Sequence, residues 1–228
     1  MDPARIVAGA RYVLQKHTEE GHVFVPLDDL IEESTAFLDV EPDSIPVALD
    51  TLVRSDEIVY EKDRVFMKPY YHAEQGIVRH LDRLINFPRP APPEEQISLM
   101  IQTVEKNRRI TFNDHQKAAI HLSFTKGVMV LTGGPGTGKT TCVQGVIDLF
   151  KEIGSRVILT APTGRAAKRL SEVTGSEAKT MHRLLEFNPR TRNFNKGWED
   201  QLDADVVILD EVSMVDTIMM NALLRAIP

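Results

Sequence analysis

The sequence predicts an α/β fold, a parallel sheet covered by helices, with a small α+β domain in front of it. Three observations support this. Four prolines fall among the six residues 88–93, a composition that cannot continue a helix and favours an extended connection. Ahead of that run, three helical apolar patterns lead into a hairpin-like pair of strands. Behind it, helical patterns alternate with short strands that are apolar on both faces, as strands inside a covered parallel sheet are.

In the front part, residues 1–87, Ile6, Val7, Ala10, Val13 and Leu14 follow helical spacing, and Gly21 stops that helix. A short apolar piece at 23–25 leads through Pro26 into a second helix with Leu27, Leu30 and Ile31. A third starts near Ser44 and carries Ile45, Val47, Ala48, Leu49, Leu52 and Val53 on its apolar face. Apolar stretches at 58–60 and 65–67 flank the polar segment 61–64, which reads as a hairpin. Three helices and then a hairpin is the order of a winged helix. A last helix, about 71–85, leads to the proline-rich linker 88–93. Winged helices often bind duplex DNA. Here the helix that would enter the groove carries Asp43, Asp50 and Asp56 against Arg54, which repels phosphates. A packing or protein-contact module is the expectation.

Composition narrows the remaining classes. The 228 residues have a net charge of −6, which does not suit a protein that coats DNA along its whole surface. The charge is uneven: residues 1–87 hold 9 Lys+Arg against 17 Asp+Glu, and the rest hold 18 against 16. Nucleic-acid contact is therefore expected in the second part. No run of 18 apolar residues and no uninterrupted apolar leader is present, so no membrane partner is expected and the cytoplasm is the expected location. The lone Cys142 excludes an internal disulfide and a cysteine-based zinc site; a small buried role suits it.

Behind the linker, helical patterns at about 94–106 and 113–124 precede an apolar strand at 127–131. A helix over 138–152, a strand at 156–160, a helix over 165–173 and a strand at 206–209 follow. The first strand runs into Gly133-Gly134-Pro135-Gly136-Thr137-Gly138-Lys139-Thr140, the pattern G-x-x-x-x-G-K-T between strand and helix. Glycines let the chain wrap so that successive backbone N–H groups converge on phosphate oxygens. The helix that follows adds unsatisfied N–H groups and a partial positive charge. Lys139 is placed to reach the β- and γ-phosphates of ATP, and the Thr140 hydroxyl to ligate Mg²⁺.

The strand at 206–209 ends in Asp210 and Glu211. In a parallel sheet the carboxyl ends of strands share one edge, so this pair should face the phosphate loop. Asp210 is the candidate Mg²⁺ partner, and Glu211 the candidate base for the attacking water.

These segments together resemble the RecD-like helicases of superfamily 1. Residues 134–141 are similar to helicase motif I, 161–167 to motif Ia, and 210–214 to motif II. Residues 111–116 resemble the glutamine motif, 180–185 a further RecD-like segment, and the whole match covers about 110–216. The winged-helix-like region sits where the longer bacterial members carry such a domain. The resemblance implies a RecA-like P-loop NTPase domain and ATP-driven 5′→3′ translocation along single-stranded DNA. It implies that Gln116 contacts adenine, that Gly134, Pro135, Gly136, Thr137, Gly138, Lys139, Thr140 and Thr141 hold the nucleotide, and that Lys139 and Glu211 are catalytic. It further implies that Pro162, Thr163, Gly164, Arg165 and His182 touch DNA.

Residues 187–198 interleave Phe187, Phe194 and Trp198 with Arg190, Arg192 and Lys196. They could grip a nucleic acid; an exposed hairpin with two aromatics tucked inward is the preferred reading. The resemblance implies that the family's remaining motifs, including the arginine that completes the ATP site, fall in the rest of this domain and in a second similar one. The sheet is therefore expected to be incomplete, and these 228 residues alone are expected to bind nucleotide weakly and not to unwind DNA. A loader-type P-loop ATPase, or a DNA-binding module set by nucleotide, remains the alternative.

Overall fold

The computed structural model describes residues 2–134 and 136–228. Contacts divide the chain into two compact units, Met1–Ile77 with Asp216–Asn221, and Val78–Val215 with Ala222–Pro228. The division falls inside a helix, while residues 88–93 have no regular structure. None of the described helices is long and apolar enough to cross a membrane.

The first unit begins with α1 (Pro3–Glu19), started by the Asp2 carboxylate, which accepts from the Ala4 N–H at 3.0 Å, and by a proline in the first turn. β1 (Val25–Pro26), α2 (Leu27–Leu38), α3 (Ser44–Arg54), β2 (Ile58–Glu61) and β3 (Arg64–Met67) follow, and then α4 (Lys68–Asn86). The three strands form an antiparallel sheet in the order β1-β3-β2. Val65 pairs with both Val25 and Tyr60, so the apolar piece before Pro26 is the third strand of the wing. This is the winged-helix order. Its core is built by the faces the spacing picks out: Ala10, Leu14, Leu30, Ile45, Leu49, Leu52 and Val65 are all sealed from water.

The second unit contains α5 (Glu94–Arg108), α6 (Asp114–Thr125), α7 (Lys139–Glu152), β4 (Val157–Ala161), α8 (Gly164–Thr174), β5 (Ala178–Thr180) and α9 (Met181–Leu184). The hairpin β6 (Phe187–Asn188) and β7 (Asn193–Phe194), β8 (Val206–Leu209), a 3-10 turn (Val212–Met214) and α10 (Thr217–Ala226) complete the chain. The parallel sheet has the order β5-β4-β8, with Leu159 opposite Ala178 on one side and Ile208 on the other. Packed with α5, α6 and α7 is one core, in which Ile97, Phe112, Ile120, Cys142 and Leu149 are buried and Phe124 stacks on Phe150 at 4.2 Å. Ile147, Leu159 and Leu170 form a smaller core where α7, β4 and α8 meet. The chain is an α/β protein with a three-stranded, incomplete RecA-like parallel sheet behind a winged-helix-like α+β unit.

One strand expectation fails. Residues 127–131 carry an apolar run but form no strand. An apolar run becomes a strand only where a neighbour can pair its N–H and C=O groups, and among the described residues this segment has none. Gly127 instead abuts the end of α4, where a Cβ would lie 1.7 Å from the Leu84 carbonyl oxygen. Val130 is 79% exposed, and Leu131 alone packs on the core beside α5–α7. The third parallel strand is β5, whose Ala-Lys-Thr sequence has no apolar run to announce it.

Leu49→Ala should destabilise the first unit by about 2–5 kcal/mol, because it opens a cavity in a fully buried site. Val47→Ala, two residues away and 68% exposed, should change stability by less than about 0.5 kcal/mol. Urea denaturation followed by hydrogen exchange of the α1 and α3 amides distinguishes the two.

Candidate nucleotide-binding edge of the sheet

The site is set by a short connection. α7 ends at Glu152 and β4 begins at Val157, so the C-terminus of α7 must lie at the edge where the parallel strands start. Lys151 confirms the placement: its Nζ donates to Ser176 Oγ at 2.6 Å, just ahead of β5. A 14-residue helix is about 21 Å long, more than the length of a four- or five-residue strand. The N-terminus of α7, with Lys139 and Thr140, therefore lies toward the edge where the strands end. That edge also receives residues 162–165 after β4 and Asp210 and Glu211 after β8.

The loop before α7 is folded around its own lysine. Lys139 Nζ donates to the carbonyls of Gly133 and, at 2.8 Å, Gly134. Thr137 Oγ1 donates to the Gly134 carbonyl at 3.0 Å. Gly136 and Gly138 have φ of +75° and +81°, which only glycine adopts without strain. At Gly138 there is also no room, since a Cβ would lie 2.4 Å from Gln116 Nε2. Gly134, Gly136, Thr137 and Thr140 are exposed, and Thr141 is half-buried beside the sealed Cys142. Pro135 lies outside the described residues. Burial raises the Cys142 thiol pKa, which keeps it an inert packing group.

Gln116 is fixed against the loop. It closes a capping box with Asn113: Gln116 N donates to Asn113 Oδ1 at 2.9 Å, and Asn113 N donates to Gln116 Oε1 at 3.0 Å. Its Nε2 donates to the Gly138 carbonyl at 3.3 Å. Contact with an adenine ring would require the amide to exchange one of these bonds.

On the acidic side, Asp210 is held by its backbone, whose N–H donates to the Thr160 carbonyl at 3.0 Å. Thr160 is itself sealed, and its hydroxyl donates to the Lys179 carbonyl at 3.0 Å, tying β5, β4 and the end of β8 together. Glu211 has φ 55° and ψ 44°, a left-handed conformation that costs a non-glycine residue roughly 1–3 kcal/mol. Both carboxylates are exposed, and among the described residues neither has an ion-pair or hydrogen-bond partner. Among the described residues the Thr140 hydroxyl is likewise without a partner, and a hydroxyl with a carboxylate is a hard oxygen donor set of the kind that suits Mg²⁺.

After β4, Pro162 and Thr163 are half-buried and Gly164 and Arg165 exposed. Thr163 caps α8, its hydroxyl oxygen accepting from Ala166 N at 3.2 Å. His182 is exposed on the short α9 and sets its ring edge-on to Phe187 at 5.3 Å and within 6.0 Å of Phe194. Phe187 and Phe194 face each other across the hairpin at 5.2 Å, so the aromatic-basic segment is a hairpin with two half-buried rings. Trp198 stays 62% exposed, with the Arg83 guanidinium 5.9 Å from its ring.

Comparison with known proteins bears on this edge. The family model described as "AAA domain" matches residues 116–228, from Gln116 through both acids. The ATP-dependent RecD2 DNA helicase of Deinococcus radiodurans is 33% identical over 237 residues, covering 100% of this chain and 33% of that protein. The RecBCD enzyme subunit RecD of Mycobacterium tuberculosis is 32% identical over 194 residues, 74% of this chain and 32% of that subunit. The chain belongs to the RecD-like helicase family. The ATP-dependent DNA helicase dda of Enterobacteria phage T4 is 41% identical over 106 residues, 44% of this chain and 24% of that helicase. The chain thus spans about a third or less of the length of these relatives, and the alignment with the RecD2 protein extends through the winged-helix-like unit.

Within this RecD-like edge, sequence reasoning missed two positioning residues. Thr160 reads as the polar end of a strand, and nothing in the sequence marks it as sealed. Asp205 opens the acidic strand and was given no role. Its Oδ2 accepts from the Arg156 N–H at 2.7 Å, and its Oδ1 pairs with Arg89 Nη1 at 2.6 Å. An acid directly ahead of an apolar strand is the signal that could have found it.

The Arg156 backbone bond, and then Arg89, hold the Asp205 carboxyl below its ordinary value of 3.8. A group with a depressed folded-state pKa stabilises above its unfolded value and loses that contribution as pH falls through the folded one. Asp205→Asn should therefore destabilise the second unit at neutral pH, with the gap to the parent narrowing below about pH 3.8. Urea midpoints across an acid series measure it. A gap independent of pH would contradict the assignment.

Proposed function

We propose that this chain is the leading part of an ATP-dependent DNA helicase that moves 5′→3′ along single-stranded DNA, with ATP hydrolysed between the loop at 133–140 and Asp210 and Glu211. What supports the reading is the chain order: α7 returns to β4 through four residues, and residues 162–165 and both acids follow directly on β4 and β8, strands of one parallel sheet. The relatives' names, ATP-dependent DNA helicases, support the substrate class, and the direction is carried over from the resemblance to the RecD-like helicases.

Gln116 faces the adenine side of the loop. The backbone amides of Gly134, Gly136, Thr137, Gly138 and Thr141 converge on phosphate oxygens, with Pro135 assigned to the same cradle by its position. Lys139 leaves the Gly133 and Gly134 carbonyls for the β- and γ-phosphates, exchanging two neutral acceptors for charged ones. Mg²⁺, held by the Thr140 hydroxyl and through water by Asp210, would neutralise charge on the same oxygens. Glu211 orients the attacking water and takes its proton as the new P–O bond forms and the bond to the β-phosphate breaks.

DNA follows the same edge. Thr163 satisfies the Ala166 N–H, which leaves the first amides of α8, at Gly164 and Arg165, for a backbone phosphate. Pro162 shapes that turn, Arg165 adds a charge, and His182 is a further contact on the α9 side.

In the full-length protein, Lys139→Ala should abolish DNA-stimulated ATP hydrolysis. Glu211→Gln should keep nucleotide affinity within a few-fold while hydrolysis drops by about 10²-fold or more. Steady-state hydrolysis, binding of a fluorescent nucleotide, and unwinding of duplexes with either a 5′ or a 3′ tail measure the three claims. Normal hydrolysis by Glu211→Gln would remove its assigned role. Unwinding confined to 3′-tailed duplexes would overturn the direction.

A further inference from the structure

We propose that the end of α1 and the turn after it form a binding site for one divalent transition-metal ion, with His17, Glu20 and His22 as ligands. One ligand atom from each of these residues lies within 4.8 Å of the others. The arrangement is built by the helix terminus. His22 N donates to the His17 carbonyl at 3.0 Å, and Gly21 N to the Thr18 carbonyl at 3.2 Å. With Gly21 at φ +98°, these bonds are the Schellman closure of a helix. That closure folds His22 back over the last turn of α1, bringing the His17 and His22 rings to 5.6 Å. Glu20 lies between them in sequence as the C-cap residue.

A second observation points to a metal. His17 Nε2 lies 2.9 Å from Glu33 Oε2, on α2. A carboxylate only accepts hydrogen bonds, so Nε2 carries the proton and the lone pair of a neutral ring rests on Nδ1. Carboxylate-oriented imidazole is the arrangement that fixes the tautomer and direction of a metal-ligating histidine. Glu33 thus serves as the orienting group, and Glu20 as the ligand carboxylate.

The donor set selects the ion. Two imidazoles and one carboxylate suit Zn²⁺ and its neighbours in the first transition row, whereas Mg²⁺ and Ca²⁺ take all-oxygen sets. Zinc bonds of ~2.0–2.2 Å put tetrahedral ligand atoms about 3.4 Å apart, so the cluster must contract. Glu20 and His22 can supply that movement: both are exposed, and Glu20 pairs only loosely with Lys16, at 3.9 Å. Water completes the fourth position. The bound ion would fasten the turn to α1 and, through Glu33, to α2, making it a clamp on the winged-helix-like unit with no part in ATP chemistry.

Zn²⁺ titrated into the chelator-stripped chain, followed by calorimetry and by the melting temperature, tests this. One equivalent should bind and raise the melting temperature. His22→Ala, an exposed substitution that leaves the fold intact, should abolish that binding, and Glu33→Gln should weaken it by about 10-fold. Thr140→Val combined with Asp210→Asn should leave it unchanged, which separates this site from the nucleotide edge. No stoichiometric binding, or binding that survives His22→Ala, would overturn the proposal.

Discussion

Four residues between α7 and β4 constrain everything at the functional edge. Because the helix is longer than the strand it returns to, a short return connection forces the start of α7 past the strand ends. The loop's amides, the lysine and the first helical N–H groups must then open toward the tips of β4 and β8. No side-chain interaction in the site achieves this; it is a consequence of chain length and parallel pairing. The acids after β8 arrive at the same edge for the same reason, since β8 runs parallel to β4 in register from Val157–Val206 to Thr160–Leu209.

Lys139 donates to the loop carbonyls of Gly133 and Gly134, and the Gln116 amide donates to the Gly138 carbonyl. The loop is thus closed on itself by groups that a nucleotide would have to displace. Among the described residues, the acids across the edge have no such partners. Like charges left exposed at a strand tip, with one of them in a left-handed backbone conformation, make sense where a cation and phosphate are to be received.

Much of this was legible in the sequence because it rests on local rules. The winged-helix order followed from apolar spacing in α1–α3 and from the polar turn at 61–64, and the buried set Leu14, Leu30, Leu49 and Leu52 matches that spacing. Glycines mark the loop as a tight wrap, and in the structure Gly136 and Gly138 take the positive φ that such a wrap uses. What was not legible depends on partners distant in sequence. Residues 127–131 look like a strand, but strand formation needs a paired neighbour. Ala178–Thr180 does not look like one, but β4 offers it a ladder. Thr160 and Asp205 position Asp210 through bonds to residues 19 and 49 away, which no local pattern encodes. The left-handed turn at Glu211 has no sequence signature, since glutamate is not a residue that favours it.

The measurement closest to the central claim is amide NMR of the chain with chromium(III)·ATP, an exchange-inert paramagnetic nucleotide complex. Resonances of residues 136–141 and 209–211 should broaden together and first, because one triphosphate lies between the loop and the acids. Broadening of the loop with 209–211 untouched, or broadening centred elsewhere, would contradict a shared nucleotide edge.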